Sequence, residues 1–302
     1  MVYVIVFLRA VRSPFLTASI LPFLAGAGVP GGKLEIFPLL LGIVAVSAGH
    51  LSANVINDYA DSKSGADWLD RTYRHGLFSG SKLIQENVLT ERFYLVTGQA
   101  TALTGAICVI ILGIIKTSIC LPGLFFCALL LSWGYSKPPL KLAYRRLGEI
   151  TVFILFGPVT VFAGYATQTD SLSIPGLRIP LFVGIPFGLL TASLLLANEL
   201  PDHVTDLQAD KLNLINAFSP DKAWSIYLVG ISLANLAVLP LVLTNHLPNF
   251  TLTCLLNIIP AVAAARIMKK HTADKNTLLK ASKLALIALT FSAIILASAS
   301  WF

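Results

Sequence analysis

Apolar runs of bilayer-spanning length recur along the whole chain, and few folds accommodate them. A helix rises 1.5 Å per residue, so about 20 apolar residues cross a hydrocarbon layer of ~30 Å. Nine such runs lie near residues 12–30, 36–58, 92–115, 118–136, 147–167, 179–199, 222–244, 248–268 and 281–301. Backbone groups in lipid must be paired internally, so runs of this length predict helices. Gly157, Pro158 and Pro186 fall inside them, as membrane helices tolerate. The expected fold is all-α: a polytopic membrane protein with nine transmembrane helices bundled around a central cavity, one domain over 1–302. The first run leads directly into further spans, so it is not read as a cleavable signal.

The basic residues fix an orientation. Segments on the side of the N-terminus carry 19 of the 22 Lys and Arg, and the other side carries only Lys33, Lys116 and Arg178. That asymmetry places the N-terminus in the cytoplasm and, with an odd span count, the C-terminus outside. A formal net charge of +7 would point a soluble protein toward nucleic acid. Here it reflects cytoplasmic loops, and no nucleic-acid partner is expected. Nor does the sequence call for an obligate protein partner; the expected setting is the cell membrane. The four cysteines (Cys108, Cys120, Cys127 and Cys254) form no CxxC and read as small apolar residues.

Two acidic ladders break the apolar pattern. Asn198, Asp202, Asp206 and Asp210 stand four apart, which on a helix is one face. Upstream, Asn54-Val-Ile-Asn57-Asp58-Tyr-Ala-Asp61 precedes Asp67. Asn54 matches Asn198 and Asp58 matches Asp202 at one offset, 144 residues. This implies pseudo-repeats over about 12–136 and 147–268, followed by helix 281–301. A rotation about the membrane normal would bring both ladders together at the cytoplasmic ends of spans 2 and 6. Like charges at this spacing repel, so something cationic must neutralise them. Carboxylates and Asn amides are hard oxygen ligands that suit Mg²⁺ completed by substrate phosphate oxygens.

The neighbouring cations suit a diphosphate: Arg12, Arg71, Arg74, Lys137, Lys141, Arg145 and Lys211. Taken singly, Arg12, Lys141 and Arg145 fit a topology anchor equally well. Glu149, Asp170 and Asp221 read as solvated groups at helix ends, and His50 as a polar pore or packing residue. Two ladders at membrane depth are a functional signal, because charge there is costly. A diphosphate site opening into a membrane bundle implies a very apolar partner.

The pattern resembles the UbiA superfamily of intramembrane prenyltransferases. Asn54 to Asp67, Phe78-Ser-Gly-Ser81, Tyr135-Ser-Lys-Pro-Pro-Leu-Lys-Leu-Ala-Tyr-Arg-Arg-Leu-Gly-Glu149 and Asn198 to Lys211 are similar to the branch that prenylates naphthoates on the way to menaquinone. The resemblance runs from about Arg9 to Lys222. It implies Mg²⁺ held by Asn54, Asp58, Asp61, Asn198, Asp202 and Asp206, with Asp58, Asp61, Asp202, Asp206 and Tyr135 as the catalytic set. It further implies ionisation of a polyprenyl diphosphate to an allylic cation that an aromatic acceptor captures. Tyr135 would stabilise that cation through its π face, or else anchor the interface. The chain departs from the branch twice: Asp210-Lys211-Leu-Asn-Leu follows the second ladder, and Gly80-Ser-Lys82 stands where two glycines are typical. Other acceptors, such as an ether lipid or a porphyrin, remain alternatives. So does a cation-coupled transporter, although transporters carry such groups near mid-membrane.

Overall fold

The computed structural model describes residues 2–69, 78, 80–170 and 172–302, and among these it contains helices and no strand. Helix α1 (Val2–Ala10) is followed by a 3₁₀ turn and α2 (Thr17–Gly28), bent by 51° from the first. The bend has a local cause. Arg12 is left-handed at φ 52°, and Pro14 removes a backbone donor just where a continuous helix needs one. The chain continues through α3 (Ile36–Ser64), α4 (Glu91–Ile115), α5 (Cys120–Gly134) and α6 (Gly148–Thr167). Then come α7 (Ile174–Glu199), α8 (His203–Gln208), α9 (Ala223–Leu243), α10 (Ile258–Lys270) and α11 (Lys275–Ala299).

All nine expected apolar segments are helical. Among the described residues, seven helices are long and apolar enough to span, or eight if the bent pair is one span. The segment α5 has only 15 residues. At 1.5 Å per residue it reaches about 22 Å, short of the ~30 Å hydrocarbon layer.

Outward faces are apolar. On α4, Leu103, Ile107, Ile110 and Ile114 are exposed, spaced to form one stripe against lipid. Lipid tails are as apolar as leucine, so helices associate through close packing rather than water exclusion. The contact between α2 and α6 is made that way. A Cβ on Gly26 would lie 1.8 Å from the Val161 carbonyl oxygen, and one on Gly164 would lie 1.9 Å from that of Phe23. Cys108 and Cys254 are buried, whereas Cys127 is exposed.

Helix α6 contains a π turn over Leu155–Val159, with Pro158 inside it. The Thr160 hydroxyl donates to the Leu155 carbonyl at 2.6 Å, across the distorted turn. At the C-terminus of α3, Gly65 takes φ 84° and ends the helix, so the short turn Ala66–Leu69 folds back. At the opposite end of the bundle, Lys116 pairs with Glu35 at 2.7 Å and Asp170 at 2.9 Å. The Gln168 side chain bonds both the backbone N–H and the carbonyl of Glu35. These contacts tie three helix ends together.

Gly164→Ala is expected to lower stability by about 1–3 kcal/mol through overpacking against α2. Thermal unfolding in detergent checks this. Gly123→Ala, where an added Cβ meets nothing within 4 Å, should leave the transition unchanged.

Candidate active site

The first ladder occupies the last turns of α3. The second is not one helix. Asn198 closes α7, Asp202 lies in the 3₁₀ turn Leu200–Asp202, and Asp206 sits on α8. Asp210 follows in a left-handed conformation, φ 57°. Pro201 within the 3₁₀ turn breaks the continuous stripe that the four-residue spacing predicts. The short helix α8 packs on the turn Ala66–Leu69, and this contact joins the two ladders.

A single ammonium marks the junction. Lys211 Nζ lies 3.8 Å from Asp61 Oδ2 and 3.7 Å from Asp206 Oδ1, one carboxylate from each ladder. Burial pushes the Lys211 ammonium down, but Asp206 and Asp61 outweigh it and hold it well above the usual lysine range. Other carboxylates are matched likewise. Arg12 donates to Asp58, Lys82 reaches Asp67 at 2.6 Å, and Lys275 reaches Asp202 at 2.7 Å. This is the neutralisation that two rows of like charge require.

The ladders open into one cavity of about 220 Å³, lined by Asn54, Asp61, Tyr135, Asn198, Asp202 and Asp206, with Arg12, Lys82 and Lys211 among the cations. Below it lies a second chamber of about 110 Å³, almost entirely apolar. The two share His50, Ser132 and Phe156. His50 is buried, bonded to the Ser19 hydroxyl and edge-on to Phe156 at 5.0 Å. It is therefore a polar wall residue common to the charged cavity and the apolar chamber. Tyr135 lines the upper cavity. Phe15 and Phe78, edge-to-face at 5.7 Å, bring two more rings to the same cavity.

Three sequence expectations change. Asp58 does not line the cavity: one carboxylate oxygen takes Arg12 and the other accepts the Ser81 N–H at 3.1 Å. Its geometry is that of a mount for Arg12 rather than of an open ligand. Lys141 and Arg145 stand apart from the cavity, with Lys141 over the Tyr144 ring at 4.8 Å and Arg145 donating to the Pro139 carbonyl at 3.1 Å. Lys137, likewise, lies over Tyr59 and Trp133. Glu149 is buried rather than solvated, and its carboxylate accepts the Leu214 N–H at 2.6 Å. Arg71 and Arg74 lie outside the described residues.

Two cations escaped the sequence reading. Lys82 is 5% exposed at φ 55°, in the stretch after Ser79 where the sequence departs from the resembling branch. That departure was the signal. Lys275 comes from the far end of the chain, with no spacing that ties it to a ladder.

Among the described residues no three Asp, Glu, His or Cys side chains gather closely enough to hold a metal alone. The donor set still fits a hard cation. Asp61 Oδ1 and Asn198 Oδ1, one from each ladder, are buried at the cavity without a hydrogen-bond partner. Two such oxygens, with Asp202 and Asp206 alongside, suit an ion whose remaining ligands are phosphate and water.

The pattern of the UbiA prenyltransferase family matches residues 19–288. The chain belongs to that family. The 1,4-dihydroxy-2-naphthoate octaprenyltransferase of Mycobacterium tuberculosis is 26% identical over 264 residues, 84% of this chain and 82% of that protein. The UbiA prenyltransferase domain-containing protein 1 of Dictyostelium discoideum is 28% identical over 72% of this chain, which spans 65% of that relative's length. The 2-carboxy-1,4-naphthoquinone phytyltransferase of Synechocystis is 28% identical over 68% of this chain and 63% of its own length. In fold, the chain is similar to the apo UbiA homolog of Aeropyrum pernix K1, with a TM-score of 0.67 at 15% identity over 90% of this chain and 96% of that one. It is also similar to the UbiA homolog of Archaeoglobus fulgidus bound to GPP and Mg²⁺, with a TM-score of 0.60 at 13% identity over 96% and 99%.

Removing Lys82 leaves the half-buried Asp67 without the ammonium at 2.6 Å. Lys82→Met is expected to cost about 3 kcal/mol, the scale for breaking a buried pair. Lys82→Met/Asp67→Asn should recover most of the loss, read as a double-mutant cycle of thermal unfolding.

Proposed function

We propose that this UbiA-family protein transfers a polyprenyl group from a prenyl diphosphate to a naphthoate-like aromatic acceptor, with Mg²⁺, in quinone biosynthesis. One observation carries the reading: acids from both ladders and their shared Lys211 face a cavity that shares a wall with an apolar chamber. A site of that shape takes a charged head and an apolar tail. The names of the mycobacterial and cyanobacterial relatives support the acceptor class, and the GPP and Mg²⁺ bound by the Archaeoglobus homolog support the donor and the ion.

On this reading Asn54, Asp61, Asn198, Asp202 and Asp206 hold the divalent ion, which when bound offsets the diphosphate charge and favours its departure. Arg12 and Lys211 grip the diphosphate oxygens, and Asp58 fixes the Arg12 guanidinium for that task. The prenyl C1–O bond breaks with its electron pair leaving on the diphosphate. Tyr135, Phe15, Phe78 and Phe156 surround the resulting allylic cation with π faces and exclude water from it. The aromatic ring attacks C1 to form the C–C bond, then loses the proton or carboxyl group it carried at that carbon. The site and the N-terminus face the cytoplasm, following the Lys and Arg asymmetry. The single domain comprises the two ladder-bearing pseudo-repeats and helix α11.

Reconstituted protein, offered several prenyl diphosphates with aromatic acids, should release pyrophosphate only with Mg²⁺ and yield a prenylated aromatic mass. A product on a glycerol ether would move the acceptor. Cation flux in liposomes without pyrophosphate release would overturn the enzyme reading.

Asp61→Ala and Asp202→Ala should each lower turnover at least about 100-fold, some 2.7 kcal/mol of barrier. Asp58→Ala should act through Arg12 and raise KM for the diphosphate. Near-normal steady-state kinetics in all three would remove the ligand assignment.

A further inference from the structure

One acid at the charged cavity is set apart from the rest. Asp61 and Asp206 share Lys211, Asp67 has Lys82 and Asp202 has Lys275. Glu199 lines the same cavity, is only 7% exposed, and forms no ion pair among the described residues. Its Oε2 is buried without a hydrogen-bond partner. Glu199 is the last residue of α7, one position beyond Asn198. A helix turns about 100° per residue, so the side chain leaves the ladder face. Its carboxyl lies instead beside that of Glu149 on α6, and both flank Tyr135. Glu149 accepts the Leu214 N–H at 2.6 Å, and its own Oε2 is also buried and unpaired. On the same two helices, the Thr151 and Thr191 hydroxyls donate to the Leu147 and Phe187 carbonyls at 2.7 and 2.8 Å. Only their lone pairs are left for the cavity. Val152, Leu194 and Leu195 belong to this side of the lining. Away from the Asn198 amide, the α6–α7 wall is thus apolar ground carrying oxygens that accept, with no donor of its own.

We propose that this wall reads a hydroxyl group on the aromatic acceptor, which donates its hydrogen bond to Glu199 Oε2. The inference rests on the function proposed above and names the residue that selects within that acceptor class. A buried oxygen without a donor is costly, and a ligand O–H relieves it. The ladder side, with Arg12, Lys82 and Lys211, suits a diphosphate and its metal ion. A wall of acceptors repels phosphate and carboxylate oxygens, so a ring carboxylate turns away from Glu199 toward those cations. The same bond assists the reaction. When a ring carbon ortho or para to the hydroxyl attacks the allylic cation, positive charge spreads onto the hydroxyl oxygen. Its O–H becomes a stronger donor, and the bond to Glu199 tightens in the transition state. Glu199 therefore favours hydroxyl-bearing rings and speeds their attack.

Steady-state kinetics of the full-length protein in nanodiscs test this, with Mg²⁺ and saturating prenyl diphosphate. The probes are 1,4-dihydroxy-2-naphthoate and its two monomethyl ethers, which keep the ring electron-rich but each lose one donor. Wild type should use one ether about 10- to 100-fold less well in kcat/KM than the parent, the range of a hydrogen bond to a carboxylate. Glu199→Met should use that ether and the parent equally, with KM for the prenyl diphosphate unchanged. Glu199→Gln keeps an acceptor oxygen and serves if the first variant fails to fold; its preference should lie between the two. Variants that slow the parent and both ethers by one factor, with the wild-type preference intact, would overturn the proposal, as expected of two acids that only share a proton. Wild type that prenylates all three probes alike also overturns it, while the enzyme reading stands. If wild type releases no pyrophosphate and prenylates none of the three, the function reading falls and this inference with it.

Discussion

Charge neutralisation at membrane depth is the constraint on which this structure depends. Two rows of carboxylates at the ends of α3 and α7 cannot approach each other in a medium of low dielectric unless each finds a cation. The chain supplies these from four separate places: Arg12 at the α1–α2 break, Lys82 before α4, Lys211 after α8 and Lys275 at the start of α11. Each pair also acts as a tertiary contact. The ladders converge because Lys211 bridges them, and the N-terminal break and the final helix are fastened to the same centre.

The apolar scaffold serves this centre by being uneven. Glycines let α2 and α6 meet backbone to backbone, while a π turn in α6 turns Leu155 and Phe156 toward the cavities. Irregular backbone in a membrane helix is tolerated where it borders a cavity, and the Thr160 hydroxyl adds a bond across the turn here.

Much of this was legible in the sequence, and the limits have physical causes. Run length and the separation of Lys and Arg report helix existence, because lipid imposes both directly. The four-residue spacing located the acids because the face of a helix is a local property. It missed the break at Pro201, since four residues also bridge a 3₁₀ turn into a new helix. It could not separate Asp58 from Asp61. Those side chains differ in what reaches them from elsewhere, Arg12 and the Ser81 N–H in one case, Lys211 and the cavity in the other. Glu149 read as solvated for the same reason: its partner, the Leu214 N–H, lies 65 residues away. Lys275 carried no local signal at all, because its relation to Asp202 exists only after α11 has docked on α7.

The polar tie at Lys116 bears on how the apolar chamber keeps its shape. Leu112 and Thr167 line the apolar chamber, and the residues that carry on from them, Lys116 and Gln168, bind Glu35 across the end of the bundle. The chamber therefore backs onto a clasp of ionic and amide contacts. Any parting of the ends of α3, α4 and α6 has to break those contacts first, so the floor of the chamber is held by polar bonds while its walls are held by packing alone.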